Sequence, residues 1–147
     1  MTDLATNKKA LFDYKILDKI EAGLMLTGQE VKAIRAGQMS LKGAFVTFFG
    51  NTPLLTNANI SPYKFAGPLP DYIPAMSRRL LLKKKEIDYL RAKSLERGLT
   101  IVPIKVYTRN RFIKVEIAVG QGKHTYDKKE AIKNRDLDRE LRRSLKE

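Results

Sequence analysis

The sequence predicts a mainly β protein, an OB-like small β-barrel with two or three flanking helices and a basic C-terminal tail. Three observations carry this expectation. Five or six short stretches rich in β-branched and aromatic residues alternate with glycine-containing turns. Two segments combine helical spacing with start and stop signals. Residues 123–147 then abandon both patterns and interleave charges of both signs with very few apolar side chains. The organisation that follows is a mobile N-terminal segment over 1–10, a barrel over 11–120 and a charged tail over 121–147.

Each element has a local reason. Residues 1–10 are polar, so the chain is expected to be mobile there. From Leu11 to Ile20 the pattern alternates, with Phe12, Tyr14, Ile16 and Ile20 on one face together with Asp18. Glu21-Ala22-Gly23 reads as a break, after which Leu24-Met25-Leu26 resumes an apolar run. Thr27-Gly28-Gln29-Glu30 has capping-box spacing, in which hydroxyl and carboxylate each satisfy a backbone N–H of the other residue. A helix from about Gly28 to Ala36 follows, with Val31 and Ile34 inward and Gly37 as its left-handed stop. Ala44 to Phe49 and Leu54 to Thr56 flank the turn signal Gly50-Asn51 and predict a hairpin. Ser61 to Pro74 holds four of the six prolines and reads as a loop.

Arg78-Arg79 leads into Leu80-Leu81-Leu82, a strand whose alternation leaves one leucine facing out. Lys84 to Arg97 reads as a helix with Ile87 and Leu90 inward and Gly98 as its stop. Ile101–Tyr107 and Phe112–Val119 form the clearest antiparallel hairpin, around Arg109-Asn110-Arg111, with one core face and one mixed face. Pro103 lacks an N–H and belongs at an edge or a bulge. In the tail, Leu137, Leu141 and Leu145 recur every four positions. One thin stripe buries too little surface to offset about 1–2 kcal/mol of backbone entropy per residue. The expected tail is disordered alone and helical when bound.

Composition narrows the function classes. Among 147 residues, 43% are hydrophobic and 31% charged, which suits one folded domain. There are 29 Lys and Arg against 16 Asp and Glu, a net charge of +13. A small domain needs a net charge of only about 2–8 for solubility, so an anionic partner is expected. With no cysteine there is no disulfide, thiolate zinc site or cysteine nucleophile. The N-terminus has no apolar leader, and no run reaches the ~18 apolar residues of a membrane span. The expectation is a cytoplasmic protein without a membrane partner.

No nucleophile elbow and no Gly-x-x-x-x-Gly-Lys phosphate loop are present. His124 stands in the charged tail without a scaffold to orient it as a base, and the capping box already accounts for Glu30. The reading is a non-enzymatic protein with no cofactor, no metal and no catalytic residue. Basic residues are spread along the chain as Lys8-Lys9, Lys32 with Arg35, Arg78-Arg79, Lys83-Lys84-Lys85, Arg109 with Arg111, and Lys128-Lys129. Of these, Lys8, Lys9, Lys32, Arg35 and Arg79 are taken as candidate RNA contacts. Tyr63, Tyr107 and Tyr126 are candidates for stacking on bases. Pattern and composition thus reach a basic barrel that binds RNA, with a tail that folds on contact.

The stretch Leu26-Thr27-Gly28-Gln29-Glu30-Val31-Lys32-Ala33-Ile34-Arg35-Ala36-Gly37 resembles the signature of the small protein B, or SsrA-binding, family. Colinear matches include Asn7-Lys8-Lys9-Ala10, Glu21-Ala22-Gly23, Ile60-Ser61-Pro62-Tyr63, Arg79-Leu80-Leu81-Leu82, Gly98 to Pro103, Lys114-Val115, Gly122-Lys123 and Asp127-Lys128-Lys129. The resemblance implies binding to the tRNA-like domain of transfer-messenger RNA and rescue of stalled ribosomes. It implies that Glu21, Leu81 and Lys114 contact that RNA. It also implies that tail residues Gly122, Lys123, Tyr126, Asp127, Lys128 and Lys129 act at the decoding centre and messenger channel of the small ribosomal subunit; Leu141 and Leu145, from the apolar stripe, are taken as further ribosome contacts of the tail. His124 stands where the family usually has a second lysine, and Lys129 where it has arginine. The expected state is a monomer. The rival readings are a general basic OB-type ribosomal or initiation protein, and a small metal-dependent RNase, which RNA turnover with Mg²⁺ abolished by Glu21→Gln would support.

Overall fold

The computed structural model describes residues 2–122. The predicted barrel is present. Seven strands form one antiparallel sheet: β1 (Thr2–Thr6), β2 (Tyr14–Leu24), β4 (Phe45–Phe49), β5 (Thr52–Thr56), β7 (Arg78–Leu81), β8 (Leu99–Arg109) and β9 (Phe112–Gly122). Their order across the sheet is β1-β8-β9-β2-β7-β5-β4. Strands β4 and β8 lie against each other although four strands separate them in that order. The sheet therefore curls back on itself in the OB-like manner, which removes most of its free edge. Two short strands, β3 (Met39–Ser40) and β6 (Asn59–Ile60), pair separately.

The curl encloses the core. Leu55, Leu80, Val106, Val115 and Ile117 meet there with Ile34 of α2 (Gly28–Arg35) and Leu90 of α3 (Lys84–Ser94). Helix α2 starts as expected: the Thr27 hydroxyl accepts from the Glu30 N–H, and the Glu30 carboxylate accepts from the Thr27 N–H at 3.0 Å. Gly37 follows its end at φ +79°, a conformation that penalises any residue with a Cβ. The hairpin β4–β5 and the loop over 61–74 also stand where they were expected. Helix α3 ends at Ser94, not Arg97. Its last turn tightens, the Leu95 and Glu96 N–H groups donating to the carbonyls three residues back.

The N-terminal expectations need correction. Residues 2–6 are not a loose arm but strand β1, paired with β8. Residues 8–13 are helix α1 (Lys8–Asp13), so β2 begins at Tyr14 and not at Leu11, and Phe12 is an exposed helical side chain. Asn7 is the cause. Its Oδ1 caps α1 by accepting from the Ala10 N–H, its Nδ2 donates to the Pro103 carbonyl at 2.9 Å, and its own N–H donates to Ile104 at 2.7 Å. Only 3% exposed, Asn7 stitches the chain to the irregularity in β8 between Pro103 and Lys105, the bulge that the proline predicts.

Strand β2 also differs in parity. A register shift between Ile16 and Asp18 sends Ile16 to the outer face of the sheet and Ile20 toward the main core. Ile16 and Tyr14 then pack with Ala10, Val102, Ile104 and Ala118 beneath α1, a second small core. Glu21-Ala22-Gly23 is no break: β2 runs through it to Leu24, pairing with β9 and then β7. Strand β9 likewise extends past 120 to Gly122, which lies opposite Tyr14, so Gly122 belongs to the barrel.

Candidate nucleic-acid interface

Helix α1 covers only half of the outer sheet face. Around Val102 and Ala118 that face is buried, while from Lys105 to Arg109 on β8 and Phe112 to Glu116 on β9 it bears charge. Directly opposed residues of an antiparallel sheet point to the same side. The pairings Tyr107↔Lys114, Lys114↔Gly23 and Gly23↔Leu81 therefore place outward positions of four strands in one row. The next row holds Glu116 opposite Glu21.

Three of the residues singled out from the sequence meet here. Glu21, Leu81 and Lys114 line one open groove of about 670 Å³, together with Lys19, Gly23, Lys83 and Glu86. Leu81 is the leucine of β7 that faces out, 49% exposed, while Leu80 is in the core. Its position depends on Gly23. A Cβ built there would lie 3.2 Å from the Leu81 Cβ, tighter than most such contacts, so any larger residue would push Leu81 or β7 back by a few tenths of an ångström. Gly23 was legible in the sequence only as a break; a glycine inside a strand also signals close approach.

Glu21 is held in place by neighbours. Its carboxylate accepts from the Tyr107 hydroxyl, and from Arg109 Nη1 at 3.0 and 3.1 Å. The Tyr107 hydrogen bond is the main influence holding this carboxyl below the usual range; partial burial opposes it, and Arg109 adds to the lowering. The Tyr107 phenol is pushed up, by burial first and then by the carboxylate. Glu21 is thus an ionised acceptor near neutral pH. Tyr107, only 4% exposed, is corrected from stacking candidate to buttress. Tyr63 is half-buried, edge-on to Phe65 with the Lys32 ammonium 5.9 Å from its ring.

The other basic candidates divide. Arg79 shares the outward face of β7 with Leu81. Lys32 and Arg35 lie on α2, where the Arg35 guanidinium donates to the Arg111 carbonyl at 2.8 Å and ties the β8–β9 turn to the helix. Lys8 and Lys9 lie on α1, away from the groove, beside a cleft that also includes Lys42, with Lys9 paired to Asp13 at 3.0 Å. Arg78 is not a surface cation. It is buried against Glu30, its Nη2 at 2.7 Å from the carboxylate, and its Nη1 donates to the carbonyls of Ala58, Pro74 and Met76. Tyr72 completes that network, its hydroxyl accepting from Arg78. The tail candidates Lys123, Tyr126, Asp127, Lys128, Lys129, Leu141 and Leu145, and His124 with them, lie outside the described residues; Gly122 closes β9.

Chemically, the groove offers an exposed aliphatic patch, three lysines and two carboxylates. Lysines bind phosphates as point charges, a carboxylate accepts from base amino groups and ribose 2′-hydroxyls, and an exposed leucine packs on a base or sugar. Among the described residues no three His, Cys, Asp or Glu side chains are placed to hold a metal ion, and no helix is long and apolar enough to cross a membrane.

A family model described as SmpB protein matches residues 4–147. The chain is 48% identical to the SsrA-binding protein of Ligilactobacillus salivarius over 143 residues, 97% of this chain and 92% of that one. It is 50% identical to the SsrA-binding protein of a Sulfurihydrogenibium species over 97% and 93% of the two chains. A solved structure described as "tmRNA-SmpB: a journey to the center of the bacterial ribosome" superposes with a TM-score of 0.70 at 38% identity, covering 97% of this chain and 96% of the other.

Proposed function

Because this chain belongs to the SmpB protein family, we propose that it binds transfer-messenger RNA and delivers it to stalled ribosomes, gripping the tRNA-like domain through the groove of Glu21, Leu81 and Lys114. The observation that carries the reading is their convergence. They come from β2, β7 and β9, far apart in sequence, yet line one open groove with Lys19 and Lys83. Lys114 neutralises phosphate, Leu81 packs on a base or sugar, and Glu21 accepts a hydrogen bond that selects amino or 2′-hydroxyl donors. Arg79 supplies a further cation beside Leu81. Lys8 and Lys9, with Lys32 and Arg35, extend the positive field beyond the groove. The relatives' names favour this partner over an unspecialised ribosomal or initiation RNA. The protein acts by binding and not by RNA turnover, in the cytoplasm, with its tail from Lys123 onward probing the messenger channel at the decoding centre.

The test is a salt titration of affinity for the tRNA-like domain, compared with unrelated structured RNAs. Tight, selective binding is expected, with log affinity falling by about 0.7–0.9 per log unit of salt for each phosphate neutralised. Equal affinity for every RNA would remove the specific role. Two variants probe the groove. Lys114→Gln should flatten that slope by about one phosphate's share, roughly 0.7–0.9. Gly23→Ala should leave the circular dichroism spectrum intact yet weaken binding about tenfold, because the new methyl displaces Leu81.

A further inference from the structure

We propose that Phe112, flanked by Lys114 and Arg109, is a stacking platform for an unpaired nucleobase of the bound RNA, at the hairpin end of the groove; this deepens the transfer-messenger RNA reading and rests on it. Phe112 is the first residue of β9 and is 67% exposed. A single exposed apolar side chain means little by itself. What surrounds this one is informative. The Lys114 ammonium stands 5.7 Å from the ring centroid, and Arg109 is its partner across the strand pair. Arg111 precedes it directly. An exposed π-face with an ammonium beside it suits a ligand that is itself flat and carries negative charge nearby, which describes a nucleobase on its phosphate backbone.

The platform is also rigid. Asn110 and Arg111 form a two-residue turn at φ +50° and +73°, the doubly left-handed geometry whose twist matches a β-hairpin. Arg35 of α2 holds that turn through the Arg111 carbonyl. The ring is therefore presented by paired strand and not by a loose loop, which spares ordering entropy on binding.

Position links it to the groove. Phe112 and Lys114 are two residues apart on one strand, so they share the outward face about 7 Å apart. Lys114 in turn stands opposite Gly23, and Gly23 opposite Leu81. An RNA strand that places a phosphate on Lys114 and a base or sugar on Leu81 has Phe112 as the next surface along β9. Hydrogen bonds in the groove select donors, whereas a ring accepts any base; the platform would add affinity without adding sequence preference.

The chain contains no tryptophan, so Phe112→Trp in the full-length protein introduces a single indole at this position. On titration with a transcript of the tRNA-like domain, its fluorescence should be quenched, with saturation at the concentration where filter binding saturates. Phe112→Ala and Phe112→Leu should both weaken binding roughly 5- to 150-fold, with the salt slope unchanged, because a stacked ring is lost and no phosphate contact is. Phe112→Tyr should bind as the parent does. Unaltered indole emission while the RNA binds, or parental affinity in both Phe112→Ala and Phe112→Leu, would overturn the stacking role alone. Failure of the unsubstituted chain to bind at low salt would overturn the reading beneath it.

Discussion

Replacing Arg78 by methionine should lower the unfolding free energy by about 3–5 kcal/mol, read from urea denaturation at neutral pH. The size follows from what is left behind. Glu30 and Arg78 are 4% and 3% exposed at the side chain, so removing the guanidinium strands a carboxylate in the interior. The carbonyls of Ala58, Pro74 and Met76 lose their shared donor; Pro74 still accepts from the Ile60 N–H, whereas the buried Ala58 carbonyl adds its own desolvation cost. These contacts also moor the long loop at the entry to β7, three residues before Leu81. The double variant Glu30→Gln with Arg78→Met should lose less than the two single losses combined, since no charge is then orphaned.

The pair gives this loss a pH dependence. Burial alone pushes the Glu30 carboxyl up; the Thr27 N–H, the Arg78 guanidinium and the Tyr72 hydroxyl outweigh it and hold the group below its ordinary value of 4.5. A carboxyl lowered on folding contributes stability that is present above its unfolded value and lost as pH falls through its folded one. Without Arg78, burial dominates and the folded value rises. The gap between parent and Arg78→Met should therefore start to narrow above pH 4.5, where the variant's raised carboxyl takes up its proton, and go on narrowing below 4.5 until the parent's lowered carboxyl does the same. A constant gap from pH 7 to pH 3 would show that the guanidinium acts through its carbonyl contacts alone.

Truncation after Gly122 should abolish peptide tagging on stalled ribosomes while leaving RNA binding within a few-fold of the parent. The cut falls at the end of β9, where Gly122 still pairs with Tyr14, and the core residues among the described residues lie upstream of it. The removed residues carry nine Lys and Arg against six Asp and Glu, so the shortened chain keeps +10 of the net +13. The groove residues and the hairpin end are untouched, and the salt slope should stay nearly constant. Simultaneous loss of both activities would refute a division of labour between barrel and tail.

Much of this was legible without coordinates, for local reasons. The capping box at Thr27–Glu30, the stop at Gly37, the hairpins around Gly50 and Asn110, and the bulge at Pro103 each follow from a short-range hydrogen bond or a fixed dihedral. The outward turn of one leucine in Leu80-Leu81-Leu82 follows from strand periodicity alone. Segments whose state is set by distant partners are not legible in local pattern. Thr2–Thr6 has no strand signature; it is a strand because β8 offers it an edge and Asn7 satisfies the proline-interrupted backbone. Phe12 mimics strand alternation from within a helix, and the shift after Ile16 breaks a parity that looks continuous on paper. Arg78 and Arg79 are indistinguishable neighbours in the chain, yet strand alternation sends one onto a buried carboxylate and the other to solvent.

By itself, then, the sequence determined a basic mainly β chain, most of its turns and caps, and the family that its colinear motifs resemble, because those depend on residue type and short spacing. Only the tertiary structure decided that Glu21, Leu81 and Lys114 share one groove, that Tyr107 and Arg109 orient the first of them, and that Gly23 leaves room for the second. The physical reason is register. Which residues of β2, β7, β8 and β9 stand opposite one another is set by bulges and by the curl of the sheet, and a one-residue slip in any pairing would turn these side chains to the other face.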